Sequence, residues 1–233
     1  MAVTMEHSSN LDSISRMLEA HADELSENIA ISAPNHSPLF YQGLYNQSLK
    51  IVGQLRAMGI QRQDRVAVSL LNGPEMAVAF LTIAAGAICA PLNPAYRARE
   101  FEFYLNDLNA KALMLQPGVA EPAREVAERL NIPVVDLLPN LESAAGIFQL
   151  STAAKVSSES LDFAGPDDTA LILHTSGTTS RPKMVPLSHR NLCTSALNVR
   201  TALELTGTDR CLNVMPLFQI HGLVGALLTS MMA

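Results

Sequence analysis

The chain has 233 residues, of which 48% are hydrophobic and 16% charged, and a formal net charge of -6. That length and apolar content give one or two domains with a real core and exclude global disorder. A sequence pI near 5.5 excludes a dedicated nucleic-acid binder, which needs a basic face. Cys89, Cys193 and Cys211 form no CxxC pair, so neither a disulfide framework nor a zinc knuckle is expected. Met1 to Asn10 lack the basic region and apolar stretch of a secretory signal.

Leu11, Ile14, Leu18 and Leu25 share one face of a predicted helix, with Asp12 or Ser13 as its cap. An extended stretch from Ile29 and a short strand at Leu39 to Tyr41 follow. Leu44 to Met58 is predicted helical, and Gly59 sits where a left-handed C-terminal cap belongs. Arg65 to Leu71 reads as a buried strand, and Asn72-Gly73-Pro74 as the start of a helix running to about Ala85. The longest nearly apolar run, Met76 to Leu92, contains Thr82, Gly86 and Pro91 and has no basic flanks. It is therefore read as a buried helix entering a buried strand at Ala87 to Leu92, not as a membrane span. Helices at Arg97 to Leu108 and Glu121 to Leu130, and strands at Lys111 to Gln116 and Pro133 to Leu137, continue the alternation.

Such alternation predicts an α/β fold with a mixed, mostly parallel sheet and flanking helices. Residues 1–138 are assigned to a first α/β subdomain. Residues 139–168, rich in Ser, Asp, Glu, Gly and Pro, are assigned to a loop or junction, and 169–233 to the start of a second subdomain. The apolar run Gly222 to Ala233 stops without Gly, Asn or a basic last turn, as expected of a chain cut inside an element. An apolar tail of that kind is expected to favour self-association.

The chemistry is concentrated in Leu171 to His189, LILHTSGTTSRPKMVPLSH. An apolar strand leads into Thr175, Ser176, Gly177, Thr178, Thr179 and Ser180; Arg181-Pro182-Lys183 and a second apolar stretch follow. Gly177 permits backbone angles that gather N–H groups around an anion, and the hydroxyls add further donors. Lys183 supplies a movable charge and is one of four lysines, with Lys50, Lys111 and Lys155. The set suits a triphosphate. It is not a P-loop, because a single glycine is present and Pro182 and Pro186 prevent a helix after the loop. The competing reading is a polar hairpin loop between two strands.

The run Thr175 to Lys183 resembles the phosphate-loop signature of the adenylate-forming, or AMP-binding, enzymes: acyl-CoA synthetases, luciferases and peptide-synthetase adenylation domains. Its form, beginning at His174, is nearest to oxalate–CoA ligase-like members. Gly86-Ala-Ile-Cys-Ala-Pro-Leu-Asn-Pro94 is similar to an upstream segment of that family, and Met215-Pro-Leu-Phe-Gln-Ile-His-Gly222 to its acyl-pocket segment. The resemblance spans about residues 40 to 233 in the family's order. It implies part of the large N-terminal domain of the adenylate-forming fold. It also implies an acyl-CoA ligase: a small carboxylic acid attacks ATP to give an acyl-adenylate, and the thiol of coenzyme A or a carrier protein displaces AMP.

By the same resemblance Thr175, Ser176, Gly177, Thr178, Thr179, Ser180 and Lys183 bind ATP, with Mg²⁺ as its usual partner. Lys183 is the catalytic residue, neutralising the departing pyrophosphate, and Gln219 and His221 belong to the substrate pocket. Ser180 and Met184 stand where the family usually has glycine, and Gln219 where acyl-CoA synthetases usually have histidine. Gln219 keeps hydrogen-bonding capacity without charge; His221 has two readings, a substitute for the missing imidazole or a histidine satisfied at a helix start. His174, His189 and His221 lack the spacing of metal ligands, so no protein-held metal is expected.

The family's adenine-side, ribose and lid motifs have no counterpart in the sequence, which makes the chain an N-terminal portion expected to be inactive alone. Two alternatives stay open: a naturally truncated, non-catalytic nucleotide- or partner-binding protein, and a structural module with a vestigial loop. A loading domain that acylates a carrier protein is a variant of the ligase reading. No transmembrane segment is expected, and the compartment is expected to be soluble and intracellular, cytoplasmic by default. A peroxisomal address stays open for a longer chain, because Met231-Met232-Ala233 is not one.

Overall fold

The computed structural model describes residues 11–152, 161–175 and 182–233. Helix α1 (Ile14–Glu24) starts at Ser13, whose hydroxyl accepts from the Arg16 N–H at 3.3 Å. A two-stranded ribbon, β1 (Ile29–Ile31) and β2 (Leu39–Phe40), leads into α2 (Tyr41–Ala57). That helix begins three residues before the expected Leu44. Its first N–H groups are met by backbone rather than by a side-chain cap: Tyr41 donates to the Asn28 carbonyl and Gln42 to that of Ser26. Gly59 follows α2 with φ +76°, the left-handed geometry expected of it. Leu25 departs from expectation. It caps α1 at φ -127°, off the helical spiral, and stays 38% exposed instead of joining the inner face.

The central sheet has seven strands in the order β7-β6-β5-β3-β4-β8-β9. They are β3 (Arg65–Ser69), β4 (Ile88–Pro91), β5 (Ala112–Leu115), β6 (Val134–Pro139), β7 (Phe148–Leu150), β8 (Thr169–Thr175) and β9 (Lys183–Ser188). β6, β5, β3, β4 and β8 run parallel, while β7 and β9 close the two edges antiparallel. Parallel neighbours require crossover helices, supplied by α3 (Pro74–Ala84), α4 (Ala98–Leu108) and α5 (Glu121–Arg129). The fold is therefore mixed α/β with a mostly parallel sheet and flanking helices.

Both faces of the sheet are covered, which is why its central strands read as unbroken apolar runs. Side chains still alternate between two cores. Val66, Val68, Cys89, Met114 and Leu171 face α1, α2 and α3, whereas Ala67, Ile88, Ala90, Leu113, Leu115 and Ile172 face α4 and α5. α3 lies wholly inside from Met76 onward, so the longest apolar run of the sequence is a core helix followed by a core strand. Among the described residues no helix is long and apolar enough to cross a membrane.

After β9 come α6 (His189–Ala202), a π-helical segment His221–Leu228 and a last turn, α7 (Thr229–Met231). The apolar run at the end of the chain is buried, not an exposed tail. Leu223, Val224, Leu228, Met231 and Met232 join the core beneath α6 and α3. Its start is tightly packed. A side chain on Gly222 would lie 2.4 Å from the Pro216 carbonyl oxygen, so only glycine fits there.

Candidate functional site

β8 and β9 form an antiparallel hairpin at one edge of the sheet. Its register pairs Leu173 with Val185, His174 with Met184, and Thr175 with Lys183. β8 runs parallel to β4, so Thr175 emerges on the side where β3 and β4 also end. That carboxyl edge of a parallel sheet is the position at which α/β folds bind ligands. Thr175 and Lys183 are both exposed. The candidate residues Ser176, Gly177, Thr178, Thr179 and Ser180 lie outside the described residues.

The far end of the hairpin is locked. Ser188 and Asn191 form a capping box, the hydroxyl accepting from the Asn191 N–H at 3.2 Å and the amide oxygen from the Ser188 N–H at 3.1 Å. His189 is fully buried, its N–H donates to the Asp168 carbonyl, and its Nδ1 accepts from the Ile14 N–H at 3.2 Å. Nδ1 is therefore the unprotonated nitrogen. Nε2 faces the Ala84 carbonyl without bonding geometry. Burial lowers the imidazole to about 4, against the upward pull of Asp168, the Ala84 carbonyl and Asp12.

The near end is held differently. The His174 side chain, 6% exposed, is 2.9 Å through Nε2 from Asp107 Oδ2 on the last turn of α4. The Tyr104 ring meets it edge-on at 4.7 Å, and Tyr96 stacks on Tyr104 at 4.9 Å. Burial first, and then a hydrogen bond with Tyr104, raise the Tyr96 phenol above its ordinary range. Sequence reasoning noticed His174 only as a flank of the loop and missed Asp107 and the tyrosines. The signal for them was the aromatic density of Phe101, Phe103 and Tyr104 on one helix.

Beside the hairpin, the segment 213–222 folds over the ends of β3 and β4. Asn72 Oδ1 accepts from the Leu217 N–H at 2.8 Å, and Asn213 closes the segment by donating from Nδ2 to the Gly222 carbonyl at 3.1 Å. The contact leaves a closed-up crevice with no room for a water molecule, lined by Leu70, Asn72, Met76, Leu92, Leu217 and Phe218. Leu92 comes from the stretch 86–94, Leu217 and Phe218 from 215–222, and β4 is hydrogen-bonded to the strand that ends at Thr175. The three stretches that carry the resemblance thus meet at one edge of the sheet.

Gln219 and His221 are exposed and do not line the crevice. Gln219 closes a turn, its N–H donating to the Pro216 carbonyl and its own carbonyl accepting from the Leu223 N–H. Among the described residues no group of three His, Cys, Asp or Glu side chains is placed to hold a metal. His174 and His189 are each committed to a different partner, Asp107 and the Ile14 N–H.

A family model described as AMP-binding enzyme matches residues 18–233. The chain is similar to an oxalate–CoA ligase of Arabidopsis thaliana, 39% identical over 94% of this chain and 43% of that protein. It is also similar to an oxalate–CoA ligase of Saccharomyces cerevisiae, 37% identical over 88% of this chain and 44% of that one. Among solved structures, apo MatB from Rhodopseudomonas palustris superposes with a TM-score of 0.78 at 27% identity, over 95% of this chain and 44% of MatB. The chain therefore spans less than half the length of the curated relatives it matches.

Proposed function

The chain belongs to the AMP-binding enzyme family, and on that premise we propose that it carries the phosphate-handling part of an ATP-dependent acyl-CoA ligase. A carboxylic acid attacks the α-phosphorus of ATP, the bond to the bridging oxygen breaks, and pyrophosphate leaves an acyl-adenylate. The thiol of coenzyme A, or of a carrier protein, then displaces AMP. Thr175 and Lys183, with Ser176, Gly177, Thr178, Thr179 and Ser180 between them, bind the β- and γ-phosphates. Lys183 meets the charge that develops on the departing pyrophosphate, a matter of position and neutralisation rather than covalent chemistry.

One observation carries this reading: the hairpin register sets Thr175 opposite Lys183, both exposed, at the carboxyl edge of the sheet. Gln219 and His221 would orient the acid, Gln219 by hydrogen bonding without charge. Mg²⁺ would reach the reaction on the phosphates of ATP and would offset their charge. The oxalate–CoA ligases among the relatives make a small dicarboxylate the first acid to test.

The test compares ATP with AMP in equilibrium binding. Loss of one charged donor to phosphate is worth about tenfold or more. Lys183→Ala is expected to weaken ATP to that extent and to leave AMP, which lacks the β- and γ-phosphates, unchanged. Equal loss for both ligands, or none for ATP, contradicts the assignment.

A further inference from the structure

We infer that the His174–Asp107 pair is a positioning device by which α4 sets how Thr175 and Lys183 meet the phosphates; the inference rests on the phosphate-binding reading of that hairpin. Successive residues of a strand point to opposite faces, so the direction of His174 dictates that of Thr175. His174 is drawn toward α4 by Asp107 at 2.9 Å and by the edge of Tyr104 at 4.7 Å. Its cross-strand partner Met184 packs on the same side, against the core that holds Phe101 and Leu105 of α4. With the His174–Met184 pair turned inward, the next pair, Thr175 and Lys183, is turned outward to solvent, as observed.

The pair is poorly suited to a stabilising role. Asp107 is 40% exposed, and a hydrogen bond to a half-solvated carboxylate contributes little to folding. It is well suited to orientation. Asp107 accepts from Nε2 and so fixes both the tautomer and the tilt of the ring, while Tyr104, itself stacked by Tyr96, blocks the other direction. His174 and Asp107 are accordingly positioning residues and not catalytic ones.

The experiment is a double-mutant cycle read by ATP and AMP affinity and by unfolding midpoint. Asp107→Ala suits the last turn of a helix, and His174→Phe keeps a ring in the aromatic cluster. Each is expected to weaken ATP binding by about fivefold, and the double variant by no more than the worse single one. AMP affinity and the unfolding midpoint of Asp107→Ala are expected to stay at the parent values. His174→Gln, whose amide N–H can still reach Asp107, is expected to bind ATP within about twofold of the parent. Parent-like ATP binding by Asp107→Ala, effects that multiply in the double variant, or loss of folding on Asp107→Ala would each overturn the inference. Lys183→Ala separates the two levels. If it weakens ATP while Asp107→Ala does not, only the positioning role falls; if it leaves ATP untouched, the phosphate-binding reading falls and takes this inference with it.

Discussion

Acidification should unlock the hairpin through His189. Its imidazole is buried at the start of α6, accepts the Ile14 N–H and is lowered by burial from an ordinary 6.5 to about 4. The unfolded chain takes up a proton as pH falls through 6.5, whereas the folded chain resists until about 4. Stability is thus fully present above pH 6.5 and is lost as pH falls between those values. At about 1.4 kcal/mol per pH unit across that gap, roughly 3 kcal/mol disappears, a large share of a typical domain's margin. Urea unfolding at intervals from pH 7.5 to 4.5 would measure it. His189→Asn supplies the control, because its amide oxygen can accept from Ile14 but does not titrate. The variant should start about 1–2 kcal/mol less stable at pH 7.5, from lost packing, and should lack most of the parent's decline. His21 is also lowered by burial, but it is present in both proteins and cancels in the difference. Parallel stability curves for parent and variant would rule out His189 as the source of the decline.

Gly222→Ala places a methyl group against the Pro216 carbonyl, a backbone atom that cannot swing aside. It should cost roughly 2 kcal/mol and lower the unfolding midpoint by about 4–8 °C. A calorimetric midpoint equal to the parent's would mean that the 215–222 turn is looser than its geometry implies. Thiol labelling of the native protein should modify Cys211, which is exposed, and spare Cys89 and Cys193. Burial raises both spared thiols, Cys193 to about 12, so all three should react after denaturation and one before it.

What the sequence disclosed and what it hid follow a physical division. Local signals were legible: the Ser13 cap, the left-handed Gly59, Pro74 at a helix start and the apolar strands of a sheet covered on both faces. The early start of α2 was not, because carbonyls of residues 26 and 28 take the place of a side-chain cap and leave no sequence signature. β7 falls within 139–168, where its pairing partner Leu137 is remote from Leu150 and no apolar run announces it. At the site, the Thr175 to Lys183 motif was legible because its chemistry is contiguous. Asn72 with Leu217 and His174 with Asp107 join positions 145 and 67 apart, and pairs so distant impose no local pattern.

If the Thr175–Lys183 hairpin serves acyl-adenylate formation, the protein must run the first half-reaction backwards as well as forwards. Isotope exchange between labelled pyrophosphate and ATP, run on the protein purified from its own source with a panel of small mono- and dicarboxylic acids, tests it most directly. Label is expected in ATP when the right acid is supplied, none without acid, and exchange should be lost in Lys183→Ala. Exchange that survives Lys183→Ala, or no exchange with any acid although ATP binds, would contradict it.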